Sequence, residues 1–379
     1  MKSINGGAVA SESYEASQAA ISILNKGGNA VDAAIAAVAV QGVTRPYSGG
    51  VGGGGLIHLY LAKEKRFLIL DHRVMSSSNF GPESIVNPDT GRAYPGSSFV
   101  SSTMSTAVPG AVKAWEEALE KYGTMTLHEV LQPAIAVAEK GFVVDQNFVN
   151  ETEKNVTRFK LFVSTKKLYL DESGRPLKVG TIIKNPDFAK TYRLIAKHGS
   201  KVFYEGEIAE AIIDTIKNPP VVESPNFTEV DSEWDPTYGV IKGNMDLEDL
   251  KNYRIVTTNS TRMNYRGYDV YGAPPVSSGG ITVGEVLNIL EKYDLTNLPR
   301  SQAIHYYIEA CRYAYADRSA YIGDPKFIDV PIKGLLSKDY ATERRNNIKV
   351  DKASIGQVMS GDPWPYEKKH SQNKMYPIR

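Results

Sequence analysis

Apolar residues along the chain alternate between helical and strand spacing. In "YEASQAAISILNKGG", Ala20, Ile21 and Leu24 share one helical face, and the pair Gly27 and Gly28 supplies the stop. Asn29 is placed to cap the next helix, "AVDAAIAAVAVQGV", whose alanines and lack of charge after Asp32 predict burial on nearly all sides. A glycine run follows, and then "LIHLYLAKEKRFLILDHR", which predicts a hairpin of two apolar strands joined by a charged turn at Lys63 to Lys65. Further helices are expected to start at Pro109 and stop at Gly123, and to open at the capping-box pair Thr126 and Glu129. Residues 151 to 260 are more polar, with helices expected at 187–198 and 205–217 and a loop-rich passage, "NPPVVESPNFTEVDSEWDPTYG". A strand, a Pro-Pro and Ser-Ser turn and a helix from near Gly280 come next. The long helix "SQAIHYYIEACRYAYADRSAYIGDP" then presents Ile304, Ile308 and Cys311 on its apolar side. No linker divides the chain, so the expectation is a single domain over 1–379 with an extended C-terminal arm from about 351.

The glycine run raises the question of a phosphate cradle, because Gly50, Gly52 and Gly55 satisfy GxGxxG spacing. A dinucleotide site needs a strand before the glycines and a helix after them. Here a helix precedes and a strand follows. The physical alternative is close passage of bare backbone where a buried helix feeds a strand. The charge balance, 44 basic against 43 acidic residues in 379, provides no field for nucleic acid or an anionic membrane. It favours a small substrate or a protein partner. The single cysteine, Cys311, excludes an internal disulfide and a Cys-rich metal site. No apolar run reaches membrane-spanning length, and "MKSINGGAVA" lacks a signal-peptide core, so either the protein is cytoplasmic or Met1 replaces a removed leader.

CxxC, HExxH and GxSxG are absent, and the six histidines do not pair with carboxylates at ligand spacing, which argues against a metal or cofactor. Cys311 could be a nucleophile, but on an apolar helix face it reads as a small buried hydrophobe. Ser277 and Ser278 could touch a ligand or could bond turn amides and cap a helix. His72 and Arg73 close the hairpin, where an arginine could fork onto a carboxylate or form an ordinary surface ion pair.

Several stretches together resemble one family, the gamma-glutamyltransferases. They are "GGNAVDAAIA", "SGGVGGGGLIHLY", "LDHR", "VPGAVKAWEEALEKYG", "PPVSSGGITVGEVLNILEKYDL", "EACRYAYADRSAYIGDP" and "LLSKDYA", in the family's order. The resemblance implies an α+β fold, the αββα sandwich of N-terminal nucleophile hydrolases. It also implies a precursor that cuts itself into a large and a small subunit. The family's nucleophile is the threonine freed at the start of the small subunit. The last threonine here is Thr342, so the chain looks like the large subunit alone, with no catalytic residue of its own and inert without its partner. By resemblance Arg73 matches the arginine that binds the α-carboxylate of the γ-glutamyl donor. The family usually continues this arginine with Glu-x-Ala-Pro, whereas "RVMSSS" stands here. The activity implied is transfer of a γ-glutamyl group from glutathione or a related amide to an amino acid, peptide or water through a glutamyl-threonine ester. The alternatives are a poly-γ-glutamate depolymerase, a glutaryl acylase, and a non-catalytic stand-alone paralogue. A secreted or periplasmic home is usual in the family.

Overall fold

The computed structural model describes residues 1–4, 6–222 and 239–368. Most of the loop-rich passage expected after Asn218, and the end of the expected arm, lie outside the described residues. The backbone gathers into two compact units, one of Met1–Gly55 with His72–Ile255, the other of Leu56–Asp71 with Val256 onward. The chain passes between them at 55–56, 71–72 and 255–256, inside continuous strand and turn segments, so no linker marks the division.

The first unit is mainly helical. Helix α1 (Tyr14–Asn25) begins on Ser13, whose hydroxyl accepts from Ala16 N at 3.1 Å, and helix α2 (Ala30–Thr44) begins on Asn29. Asn29 accepts from Val31 N and Asp32 N, and Asp32 accepts in return from Asn29 N at 2.7 Å. Three backbone amides at the helix start are thereby satisfied. Asp32 is fully buried and also accepts from Thr124 N, Thr124 Oγ1 and Met125 N, which ties the start of α2 to a distant loop. As expected, α2 buries most of its circumference, and its alanines let α1 pack closely against it.

Helix α3 (Ala111–Tyr122) starts later than Pro109. Gly110 is its N-cap residue, and the Pro109 carbonyl accepts from the Tyr204 hydroxyl at 2.9 Å instead of entering the helix. Helix α4 (Leu127–Lys140) does open with the Thr126 and Glu129 capping box. Helices α5 (Pro186–His198) and α6 (Glu207–Lys217) match their expected spans to within two residues. Trp115 of α3 and Tyr192 of α5 are fully buried with ring centroids 6.4 Å apart, and the Tyr192 hydroxyl donates to Ala39 O at 2.8 Å; Phe148, fully buried as well, packs on Tyr47, Phe142 and Tyr169.

The second unit is built on the expected hairpin. Strands β1 (Leu56–Leu61) and β2 (Arg66–Asp71) pair antiparallel from Leu56↔Asp71 to Leu61↔Arg66, and β3 (Val256–Asn259) pairs with the other edge of β2. Leu68, Ile69 and Leu70 of the central strand are buried, while edge strand β1 alternates between exposed and half-buried residues. A second hairpin, β4 (Thr261–Tyr265) and β5 (Tyr268–Gly272), leads to helix α7 (Gly279–Leu290), helix α8 (Arg300–Tyr321) and helix α9 (Lys338–Asn346).

The buried face of α8 differs from the one the sequence suggests. Tyr306, Glu309, Ala310, Tyr313, Ala314 and Asp317 turn inward, whereas Ile304 and Ile308 are exposed and Cys311 is only half-buried. Ala310 and Ala314 allow α7 to come close, and both acids have partners, Glu309 the half-buried Arg312 and Ser354 and Asp317 the buried Arg344, so the alanine and tyrosine stripe takes the core. Asp317 pairs with Arg344 at 2.9 Å. Residues 351–363 run without helix or strand along this ladder of polar groups. Ser354 O accepts from Arg312 at 2.6 Å, Met359 O from Arg344 at 2.7 Å, and Gly361 N donates to Asp317 at 2.8 Å. A short helix, Trp364–Lys368, follows.

Candidate active site

Strand β2 ends at Asp71, and the ladder continues through one more pair in which His72 N donates to Gly55 O at 3.0 Å. Arg73 is the next residue and is half-buried. Two residues on, Met75 and Val108 exchange backbone hydrogen bonds of 3.2 and 2.7 Å. Arg73 therefore sits between two paired points in a short, fixed stretch of backbone.

Bare backbone makes this stretch possible. A Cβ on Gly54 would stand 2.6 Å from the His72 carbonyl oxygen and 2.7 Å from Val74 N, both closer than real side chains come. A Cβ on Gly110 would lie 2.1 Å from the same His72 oxygen and from the Tyr253 hydroxyl. The carbonyl of the neighbouring Gly53 accepts from Gly110 N and Ala111 N at 3.0 and 3.1 Å, which fixes the first turn of α3 beside the arginine. The glycine run thus serves close passage of backbone and holds no phosphate-binding geometry, since a helix precedes it and a strand follows.

The Arg73 carbonyl accepts from the Tyr253 hydroxyl at 2.9 Å. Tyr253 is buried and stacks on Tyr204, with ring centroids 5.9 Å apart and planes at 12°. Beyond Arg73, two of the serines that follow are held by residues far away in the chain. Ser77 Oγ bonds Asn244 Oδ1 at 3.0 Å, and Ser78 N donates to Asp249 at 2.8 Å. Support for the segment comes from contacts 165 to 180 residues away in the chain, through its backbone and short hydroxyls.

Ser277 and Ser278 lie in the second unit. Ser277 Oγ accepts from Gly279 N at 3.4 Å, a turn bond, and Ser278 Oγ accepts from Arg318 Nε at 2.9 Å. Ser278 precedes α7 but makes no side-chain cap. Cys311 packs against the cluster of Val286, Ile289 and Tyr306. Among the described residues no three His, Cys, Asp or Glu side chains converge to hold a metal ion, and no helix is long and apolar enough to cross a membrane. Sequence reasoning missed Tyr253 and Gly110, which carried no local signal.

A family model described as Gamma-glutamyltranspeptidase matches residues 16–376. The chain is similar to the glutathione hydrolase proenzyme of Bacillus subtilis (strain 168), 34% identical over 366 residues, which cover 95% of this chain and 57% of that protein. It is also similar to the Acylase ACY 1 proenzyme of Pseudomonas sp. (strain SE83), 35% identical over 89% of this chain and 57% of that one. The chain thus spans less than two thirds of the length of these relatives. Among solved structures, the Helicobacter pylori gamma-glutamyltranspeptidase superposes with a TM-score of 0.81 at 31% identity, covering 92% of this chain and 93% of that one. The Bacillus anthracis transpeptidase enzyme CapD superposes at 0.67 and 27% identity, covering 89% of this chain and 98% of that one. The fold is accordingly of the α+β class, with the architecture of the N-terminal nucleophile hydrolases. A match over nearly all of the sequence, with 34% identity to a glutathione hydrolase proenzyme over 95% of the chain, means that the chain belongs to the gamma-glutamyltranspeptidase family.

Proposed function

We propose that this chain is the large subunit of a gamma-glutamyltransferase, which moves the γ-glutamyl group of glutathione or a related γ-glutamyl amide to an amino acid, a peptide or water. Coverage supports the subunit reading. The proenzymes of Bacillus subtilis and Escherichia coli are matched over 57% and 58% of their length, whereas the solved Helicobacter pylori chain is matched over 93% of its own. A precursor cut into two pieces, the larger about the size of this chain, accounts for both. The small subunit would bring the threonine whose hydroxyl attacks the γ-carbonyl. The threonine's own α-amine, with an ordinary pKa of about 7.7 to 8.0, would take the proton.

The observation that carries the reading is the immobilised backbone of Arg73. A planar guanidinium on such a base makes two parallel hydrogen bonds to the donor's α-carboxylate. It thereby holds a flexible glutamyl tail so that its far carbonyl reaches the nucleophile. A second reading, a glutaryl acylase, is supported by the 35% identity to Acylase ACY 1. A glutaryl group lacks the α-amino acid end that Arg73 would hold. Production of the whole precursor tests the proposal: the expected result is self-cleavage, followed by release of p-nitroaniline from its γ-glutamyl anilide. Preference for the glutaryl anilide would establish the acylase, and a precursor that matures yet turns over neither would overturn both.

A further inference from the structure

We infer that Tyr253 is a positioning residue for substrate recognition: its hydroxyl fixes the peptide plane of Arg73 and so aims the guanidinium. This rests on the reading of Arg73 as the residue that holds the donor carboxylate. The direction of a side chain is set by the peptide planes on either side of its Cα. On the N-terminal side of Arg73, that plane is held by the pairing of His72 with Gly55. On the C-terminal side, the Arg73 carbonyl accepts from the Tyr253 hydroxyl at 2.9 Å, and the next backbone pair comes only at Met75.

The hydroxyl is delivered to a fixed point. The ring of Tyr253 stacks on Tyr204, and a Cβ on Gly110 would stand 2.7 Å from its Cζ, so the ring fills the space that a side chain there would need. Tyr204 is anchored in turn, donating to Pro109 O at 2.9 Å and accepting from Lys113 N at 3.2 Å, at the start of α3. Burial pushes the Tyr204 phenol well above its usual range, which keeps it a donor to Pro109 at any ordinary pH. The pair of tyrosines thus joins the arginine segment to the first turn of α3. A two-pronged contact to a carboxylate tolerates little error in aim, because a displacement of about 1 Å can cost on the order of 100-fold.

Tyr253→Phe removes the hydroxyl and keeps the stacked ring, and is assayed in the mature two-subunit enzyme. The expected result is a KM for a γ-glutamyl anilide raised about five- to tenfold with kcat within about twofold, the size of one neutral hydrogen bond. Turnover of the glutaryl anilide, slow in the parent enzyme, stays the same, since no α-carboxylate is there to be aimed at. In an Arg73→Ala background the same substitution adds nothing, because the two act through one contact. Tyr204→Phe, which loses the anchor on α3, lowers the unfolding midpoint and affects both donors alike. Equal loss of both donors in Tyr253→Phe, or an effect additive with Arg73→Ala, would overturn the proposal. If Arg73→Ala itself treats the donors alike, the reading of Arg73 fails and this inference with it. If Arg73→Ala discriminates and Tyr253→Phe keeps the parent KM, only the role of Tyr253 fails.

Discussion

The two units of this chain place their large apolar side chains differently. In the first, Trp115, Phe148 and Tyr192 are fully buried among helices whose alanines permit close approach. In the second, one face of α8 exposes Ile304, Tyr307, Ile308 and Tyr315 at helical spacing, and Tyr268 and Phe327 are 76% and 83% exposed. Edge strand β1 adds Tyr60, 54% exposed, beside a row of backbone groups with no strand partner among the described residues. The first unit closes a core around these rings, although it also exposes Tyr14 and Ile182 at 67% and 59%, while the second gathers exposed rings and isoleucines on one helix face, surface of the kind that a further polypeptide covers. Their buried acids differ too. Asp32 accepts from four donors. Glu285, nearly fully buried in α7, has no donor to its Oε1 among the described residues.

Removing one ring from the core of the first unit gives the largest expected effect. Trp115→Ala should cost about 3 to 5 kcal/mol and leave the chain largely unfolded or aggregated, as read by denaturant titration. Retention of a parental transition midpoint would mean that the first core does not depend on this ring.

The buried acid of the second unit gives a pH effect. Burial, and then Asp317, push the Glu285 carboxyl well above the usual carboxylate range. Between that ordinary range and its raised folded value, the folded chain holds a proton that the unfolded chain has released. Stability should therefore fall as pH rises through this window, at up to about 1.4 kcal/mol per pH unit, until the folded group ionises. Glu285→Gln should flatten that slope and raise the midpoint at neutral pH. An unchanged slope in melting curves taken from pH 5 to 8 would contradict the assignment.

On the open face the expected effect is small within the chain and visible only between chains. Ile308→Ser should leave the unfolding midpoint of the isolated chain within about 2 °C, as exposed positions do, yet weaken recovery of the small subunit in co-purification. A drop in the chain's own stability would place Ile308 in a core. Smallest of all, Cys311→Ala should lower stability by about 1 kcal/mol or less and leave turnover in the assembled enzyme unchanged, because the half-buried thiol packs against the α7 and α8 cluster and bonds the exposed Tyr307 side chain. Lost turnover with normal assembly would give the thiol a part in the site.

What could be read from the sequence follows from the range of the interactions concerned. The caps at Asn29 and Thr126 and the Lys63 to Lys65 turn are settled by residues within a few positions of one another, and each was legible. The inward face of α8 was not, because that helix carries two stripes with apolar members. The choice between them is made by α7 and by Arg344, which the sequence places far away. The start of α3 moved for the same reason, since Tyr204, 95 residues on, takes the Pro109 carbonyl. Arg73 was singled out by resemblance alone, as local sequence favoured a surface ion pair. Its supports, Gly54, Gly110 and Tyr253, act through backbone contacts that no spacing rule encodes.

The central claim is that the first unit holds Arg73 to read a donor's α-carboxylate, and the donor preference of Arg73→Ala in the mature enzyme tests it most directly. Loss of a charge-assisted pair in a partly desolvated cleft costs about 2 to 5 kcal/mol. At about 1.4 kcal/mol per tenfold, kcat/KM for a γ-glutamyl anilide should fall by about 30-fold to several thousand-fold, with Arg73→Lys recovering only part because it supplies charge without the fork. The glutaryl anilide should be turned over as slowly as by the parent enzyme, and self-cleavage of the precursor should proceed. Equal loss of both donors in a variant that still matures and assembles would contradict the claim, leaving Arg73 as a support of the site's architecture.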